Sequence, residues 1–321
     1  MDKIAAIVAT FNRKDCLKNC LDAIRRQTLS PDAIYIVDNH STSDTAEMLL
    51  ANRIIPVNPD MNASEDSVIT HQINSLSEPD HGILIKYIYK SKNTGGAGGF
   101  CTGMKTAYDD GYDWFWLMDD DGFPTEDGLK QLFYGAKKYN LDYANPLVVN
   151  MEDKFLLTFE LESNKANIDD YKDVDVVHGL ATPFNGTFIN RRIPEKIGFI
   201  KKEMFIWGDE VEYLMRTKKN GFKVATVTKS IHYHPVAGAD ERVNVIPFFK
   251  TPTMGMLKPT VKNRFYIYYR NKGYIDYTYR TKPYICKIFF GHIFYFMSRL
   301  KFADCMNFII AYTKGCKNQY N

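Results

Sequence analysis

This 321-residue chain lacks several signatures that would place it in common classes. No window is apolar for long enough to span a bilayer, so no transmembrane helix is expected. The first ten residues hold a short apolar run that passes straight into a polar turn, unlike a secretory signal. The six cysteines (Cys16, Cys20, Cys101, Cys286, Cys305 and Cys316) form neither a CxxC pair nor a zinc spacing. Without a secretory signal they are expected as reduced thiols of a cytosolic protein. The first crossover, residues 10–14, has no glycine. A nicotinamide-type dinucleotide fold needs glycines there, and a nucleotidyltransferase needs a basic glycine-rich loop. Nor does Gly-Lys-Ser/Thr occur anywhere, which excludes a P-loop.

Acid is scarce at one end only. Residues 258–321 carry 12 Lys or Arg against 2 Asp or Glu, and 17 Phe or Tyr with no Trp. The formal net charge of +3 thus divides into +10 there and −7 over the rest. Opposite charge in two parts suggests two jobs.

The pattern elsewhere is β-α-β-α. Residues 4–9 and 33–37 read as strands, 14–27 as an amphipathic helix, and 45–51 as a helix capped by residues 41–44. That order predicts an α/β fold with a mostly parallel sheet and crossover helices. Residues 56–82 are polar with little periodicity and are expected to leave the core as a long loop. Strands follow at 83–89 and 114–118, helices at about 100–110 and 127–139, and strands near 222–226 and 231–235. Residues 236–259 read as loop, and 283–299 and 301–317 as two helices. The expected organisation is one domain over 1–235 and a basic, aromatic helical extension over 236–321.

Chemistry concentrates in a few places. The run Trp114-Phe115-Trp116-Leu117-Met118 ends in Asp119-Asp120-Asp121. Three adjacent carboxylates at a strand's carboxyl end suit a hard cation at the mouth of a cleft, or else a capped turn opening a helix. Residues 93–99 put four glycines at a strand–helix junction, which suits a diphosphate at the helix N-terminus or a packing turn. Asp38-Asn39 ends the second strand, where a carboxylate can read a nucleobase or ribose, or close an Asx turn. Trp207-Gly208-Asp209-Glu210-Val211-Glu212 sets a sugar platform beside candidate bases, or an acidic first helical turn. His232 and His234 are two apart, so they share one face of a strand. Either could complete a metal shell, or simply pack.

In this order, with the turn Thr10-Phe11-Asn12-Arg13 leading, these motifs resemble the GT-A glycosyltransferases of family 2. The likeness is nearest to bacterial galactofuranosyl- and rhamnosyltransferases of polysaccharide assembly. It covers residues 4–235 and implies a GT-A fold and an inverting transfer from a nucleotide-diphosphate sugar, with UDP-galactofuranose or dTDP-rhamnose heading the donors. By motif it implies that Thr10, Phe11, Arg13 and Asp38 border the nucleoside, and that Asn93, Gly95 and Gly96 run along the donor. Asp119 and Asp121 would face a Mn²⁺ or Mg²⁺ ion, with Asp120 toward the donor. His234 would be a further metal ligand, His232 its alternate. Trp207 would line the acceptor site. Glu210 falls where the family has its catalytic carboxylate, with Asp209 as the other candidate because the acids here read Asp-Glu. A saccharide or lipid-diphosphate-linked acceptor is implied, and a cytoplasmic location at the inner face of the plasma membrane. For the extension, an anionic membrane surface or a homo-oligomer contact is expected rather than nucleic acid. The readings from other classes are a nucleotidyltransferase and a non-catalytic glycan-binding module.

Overall fold

A computed structural model describes residues 2–236 and 282–317 of the chain. Its first part is built on a ten-stranded sheet. The chain enters through β1 (Ile4–Thr10), α1 (Lys14–Arg25), β2 (Ala33–Asp38) and α2 (Ser43–Ala51). It continues through β3 (Ser67–Asn74), β4 (Gly82–Tyr89), α3 (Gly95–Asp109), β5 (Trp114–Asp119), the short β6 (Phe123–Pro124) and α4 (Gly128–Tyr139). After β7 (Tyr143–Asn150) come β8 (Val176–His178), β9 (Asn185–Asn190), α5 (Arg192–Ile197), α6 (Asp209–Lys219) and β10 (Val224–His234).

The strand order is β3-β4-β2-β1-β5-β9-β7-β10-β6, with β8 paired to β10. Strands β4, β2, β1 and β5 run parallel, and β9 is antiparallel to both β5 and β7. Every residue of β1 and β2 is buried. Their apolar runs do not alternate because helices cover both faces. Leu17, Leu21 and Ile24 of α1, Leu49 of α2 and Leu132 of α4 pack on one face. Phe100 and Met104 of α3 and Tyr213 and Leu214 of α6 pack on the other.

Two segments depart from expectation. Within residues 56–82, β3 forms an antiparallel edge strand on β4, where a loop is expected from the sequence. Ile69 and Ile73 are buried and Ser67 and His71 half-buried, while Val68, Thr70, Gln72 and Asn74 are exposed, because an edge strand has one covered face and a solvated one. The two short strands read near 222–226 and 231–235 are one strand, β10, with a bulge between Val227 and Ile231. The bulge carries His232 and His234 on to β6, beside the acidic triplet.

Residues 282–317 form a helical pair, α7 (Lys282–Ser298) and α8 (Phe302–Lys317). Phe296, Cys305, Phe308 and Ala311 make a small core between them. The loop expected over 236–259 lies, beyond Val236, outside the described residues. Among the described residues no helix is long and apolar enough to cross a membrane.

Candidate active site

Parallel register sets the site. Thr10 pairs with Asp38, Asp38 with Tyr89, and Ala9 with Asp119. The carboxyl ends of four adjacent strands thus form one rim, the edge where open α/β sheets bind ligands.

The three acids on that rim are not alike. Asp120 is 2 % exposed; Thr10 Oγ1 donates to its Oδ2 at 2.6 Å, and Arg13 Nη1 lies 3.1 Å from its Oδ1. Burial pushes its pKa up to about 6, against the pull of Arg13 and Thr10. Asp119 is pushed up to about 8 by burial and by the charges of Asp121 and Asp120. Asp121 is half-buried, and its pairing with His234 and Arg13 outweighs the desolvation and holds it below the usual carboxylate range.

His234 Nδ1 donates to the Pro235 carbonyl at 2.7 Å, which turns Nε2 toward Asp121 Oδ1, 3.4 Å away. That oxygen is buried and has no hydrogen-bond partner among the described residues. An unsatisfied carboxylate oxygen opposite an imidazole nitrogen is a donor set that suits a divalent cation. No three Asp, Glu, His or Cys groups close a cage among the described residues. A cation held by Asp121 and His234, with Asp119 alongside, would take its remaining ligands from diphosphate and water, as Mg²⁺ commonly does. Meanwhile the Arg13 guanidinium bridges Asp120 and Asp121 and supplies positive charge there. Arg13→Ala is expected to tighten Mn²⁺ binding to the donor-free protein on the order of tenfold, read by Mn²⁺ electron paramagnetic resonance.

The same groups tie stability to pH. Asp119 and His234 both titrate above their ordinary values in the fold, so each stabilises it at low pH and loses that as pH rises. His232 runs the other way: burial pushes it down to about 3, so it favours unfolding in acid and stops mattering above its ordinary 6.5. Between about pH 6.5 and 8, Asp119 and His234 act without that opposition. In EDTA, the Tm is expected to fall across this interval, and Asp119→Asn to flatten the fall, measured by scanning calorimetry.

His232 itself is 1 % exposed. A Cβ on Gly122 would lie 2.4 Å from its Nε2, and one on Gly186 2.9 Å from its Nδ1. It is enclosed between these backbones, and neither ring nitrogen has a hydrogen-bond partner among the described residues; of the two histidines, His234 is the one within ion-pair distance of an acid of the triplet. Asp38 also differs from expectation. It is fully buried, accepting from Ser41 N–H at 2.7 Å and from Tyr87 OH at 2.9 Å. These bonds close a turn at the end of β2.

At the glycine turn, Gly95 N–H donates to Asn93 Oδ1 (2.8 Å) and Ala97 N–H to the Phe205 carbonyl (3.1 Å). A Cβ on Gly95, whose φ is +71°, would lie 2.0 Å from that carbonyl oxygen. On Gly98 it would meet Thr94, and on Gly99 it would meet Asn39. Three of the four glycines therefore permit close packing. Gly96 alone has open space before it among the described residues, so it is where a ligand can approach the turn's backbone. Asn39 fixes the turn from β2, donating to Gly95 O at 3.1 Å and accepting from Thr94 Oγ1 at 2.9 Å. Its role was hidden in the sequence behind Asp38; Asn12, which links this rim to residues 41 and 42, was hidden the same way.

The loop beyond Phe205 delivers the second acidic motif. Phe205 and Trp207 both have left-handed φ, +65° and +61°, and both are exposed. Such strain in two bulky residues persists only where surrounding structure holds it, and it clusters at ligand sites. Asp209 and Glu210 open α6. Asp209 is buried and hydrogen-bonded to Glu210, and burial together with the charge of Glu210 pushes its pKa well above the usual carboxylate value. Glu210 is half-buried and accepts from Gly208 N–H at 2.8 Å. Asp119 adds to the field at Asp209, so the two acidic motifs face one site. Glu212 is not part of it: buried, it pairs with Arg216 at 2.9 Å, and Arg216 also donates to Ile197 O and Phe199 O. Phe11 stands exposed at the far end of the rim.

Comparison with known proteins places the chain in a family. The sequence pattern of glycosyl transferase family 2 matches residues 5–59 and 64–198. The chain belongs to that family. It is a glycosyltransferase. Curated relatives include the galactofuranosyltransferase GlfT1 of Mycobacterium tuberculosis, 30 % identical over 284 residues that span 85 % of this chain and 82 % of that one. GlfT1 of Mycolicibacterium smegmatis is 28 % identical over 285 residues, with the same shares. Among solved structures, S. aureus TarS superposes with a TM-score of 0.53 at 14 % identity, covering 98 % of this chain and 55 % of TarS. GalNAc-T7 with UDP, GalNAc and Mn²⁺ gives 0.57 at 15 % identity, over 88 % of this chain and 51 % of that one. The fold of this family 2 member is thus the GT-A fold, with a helical C-terminal segment.

Proposed function

We propose that this glycosyltransferase transfers galactofuranose, with inversion, from a UDP donor to a saccharide in cell-surface polysaccharide synthesis, and that the transfer depends on Mn²⁺ or Mg²⁺. The acceptor in this reading is a lipid-diphosphate-linked glycan at the inner face of the plasma membrane. The observation that carries it is the pairing of Asp121 and His234 at an unsatisfied carboxylate oxygen on the rim. The name of the GlfT1 relatives favours galactofuranose over rhamnose.

Asp119, Asp121 and His234 would hold the cation. When bound, such an ion neutralises the diphosphate and makes it a better leaving group. Thr10 and Arg13 fix Asp120, which meets the donor's ribose or sugar, while Phe11 borders the nucleoside. Asn93, Gly95 and Gly96 run along the diphosphate, with Gly96 the point of approach. Trp207 offers its face to the acceptor sugar. Glu210 takes the proton of the acceptor hydroxyl as that oxygen bonds to the anomeric carbon; the bond to the diphosphate oxygen breaks and UDP leaves. Asp209, its pKa pushed up by burial and by Glu210, orients Glu210 and is the lesser candidate for base. Residues 236–321 form the part that makes membrane contact.

The test is nucleotide release from UDP-galactofuranose and dTDP-rhamnose, with and without a lipid-diphosphate-linked saccharide, followed by assignment of the product anomer. Acceptor-dependent UDP release with inversion is expected. Release from dTDP-rhamnose alone, or a retained configuration, would overturn it.

A further inference from the structure

We infer that the turn joining α7 and α8 is a wedge that enters the surface of an anionic bilayer; this deepens the membrane contact assigned above to the C-terminal region. Over the turn the sequence reads Met297-Ser298-Arg299-Leu300-Lys301-Phe302, apolar and basic residues interleaved. Met297, Leu300 and Phe302 are 47 %, 75 % and 54 % exposed. Leu300 has a φ of +55°, a conformation that a branched aliphatic residue adopts only at a cost. The fold holds it there through Leu300 N–H to Met297 O and Lys301 N–H to Phe296 O, at 3.1 and 2.9 Å. Strain is thus spent on presenting a large apolar side chain to the outside.

The apolar surface continues along both helices. Phe290 and Phe294 precede Met297 at spacings of four and three, and Met306 and Ile310 follow Phe302 at spacings of four. All four are also exposed. Each helix therefore has one apolar stripe outward and another in the shared core of Phe296, Cys305, Phe308 and Ala311. An apolar face of this size marks an interaction surface. Charge selects the occupant. Arg299 and Lys301 flank Leu300, and residues 258–321 carry 12 basic residues against 2 acidic. Apolar side chains between cations match acyl chains below a layer of anionic headgroups. A second copy of this strongly basic segment would meet it with like charge.

The test is co-sedimentation of the full chain with vesicles of phosphatidylcholine alone or with one quarter phosphatidylglycerol. Binding to the anionic vesicles, weakened by salt, is expected. Leu300→Asp with Phe302→Asp should weaken it at least about tenfold, and Arg299→Glu with Lys301→Glu should reduce the preference for phosphatidylglycerol. UDP affinity of each variant reports that the catalytic part is folded. Absence of wild-type binding, equal binding to neutral vesicles, or an apolar variant that binds as wild type would each overturn the inference. So would a variant that changes only self-association in sedimentation velocity, which would give the face to a second copy. No arm needs donor or turnover, so failure here is separable from failure of the proposed transfer.

Discussion

Glu210→Gln is expected to lower transfer by roughly 10²- to 10⁴-fold, the usual contribution of a positioned general base, while UDP binding persists. The substitution keeps the shape of the site. Glutamine can still accept the Gly208 N–H bond that Glu210 accepts now, and it can still hydrogen-bond to Asp209. Only basicity is lost. Single-turnover transfer beside calorimetric UDP binding separates the two effects. Asp209→Asn is the informative control. Burial and Glu210 push Asp209 toward its neutral form, so the amide should cost much less than the change at 210. The opposite ranking would move the base to Asp209, and near-normal turnover of Glu210→Gln would remove Glu210 from the role.

Asp121→Asn carries the second large effect. Asp121 is the acid of the triplet held in its charged form, paired to both His234 and Arg13. Removing its charge should weaken Mn²⁺-dependent UDP binding by at least about tenfold, since even groups that only orient a metal's ligands cost that much. Binding in EDTA should change little. An equal loss with and without metal would mean that the variant damages the cleft rather than the cation site.

Much of this site is written in local patterns. The aromatic run of β5 ending in the triplet, the glycine turn and the acidic start of α6 each follow from residues adjacent in sequence, and periodicity placed them on their elements. What sequence could not carry is which neighbour satisfies a given side chain. Asp38 ends a strand on the rim, as expected, yet Tyr87, one strand away, fills its second oxygen. His232 and His234 share a strand face, but Gly122 and Gly186 close over one and leave the other at the acids. Edge strand β3 stayed hidden because polar Ser67 and His71 sit on its covered face and Val68 on its exposed one, so polarity does not alternate along it. The halves of β10 read as two strands because a bulge breaks the period.

The contact between Gly95 and the Phe205 carbonyl constrains how such an enzyme can diversify. One backbone hydrogen bond and one missing methyl join the glycine turn to the loop that precedes Trp207. A change in the length of either segment displaces the other. New acceptor preferences are therefore reached by exchanging the side chains at Phe205 and Trp207, not by inserting residues between Met204 and Asp209, and a library built on that rule should retain donor use where a loop-length library loses it.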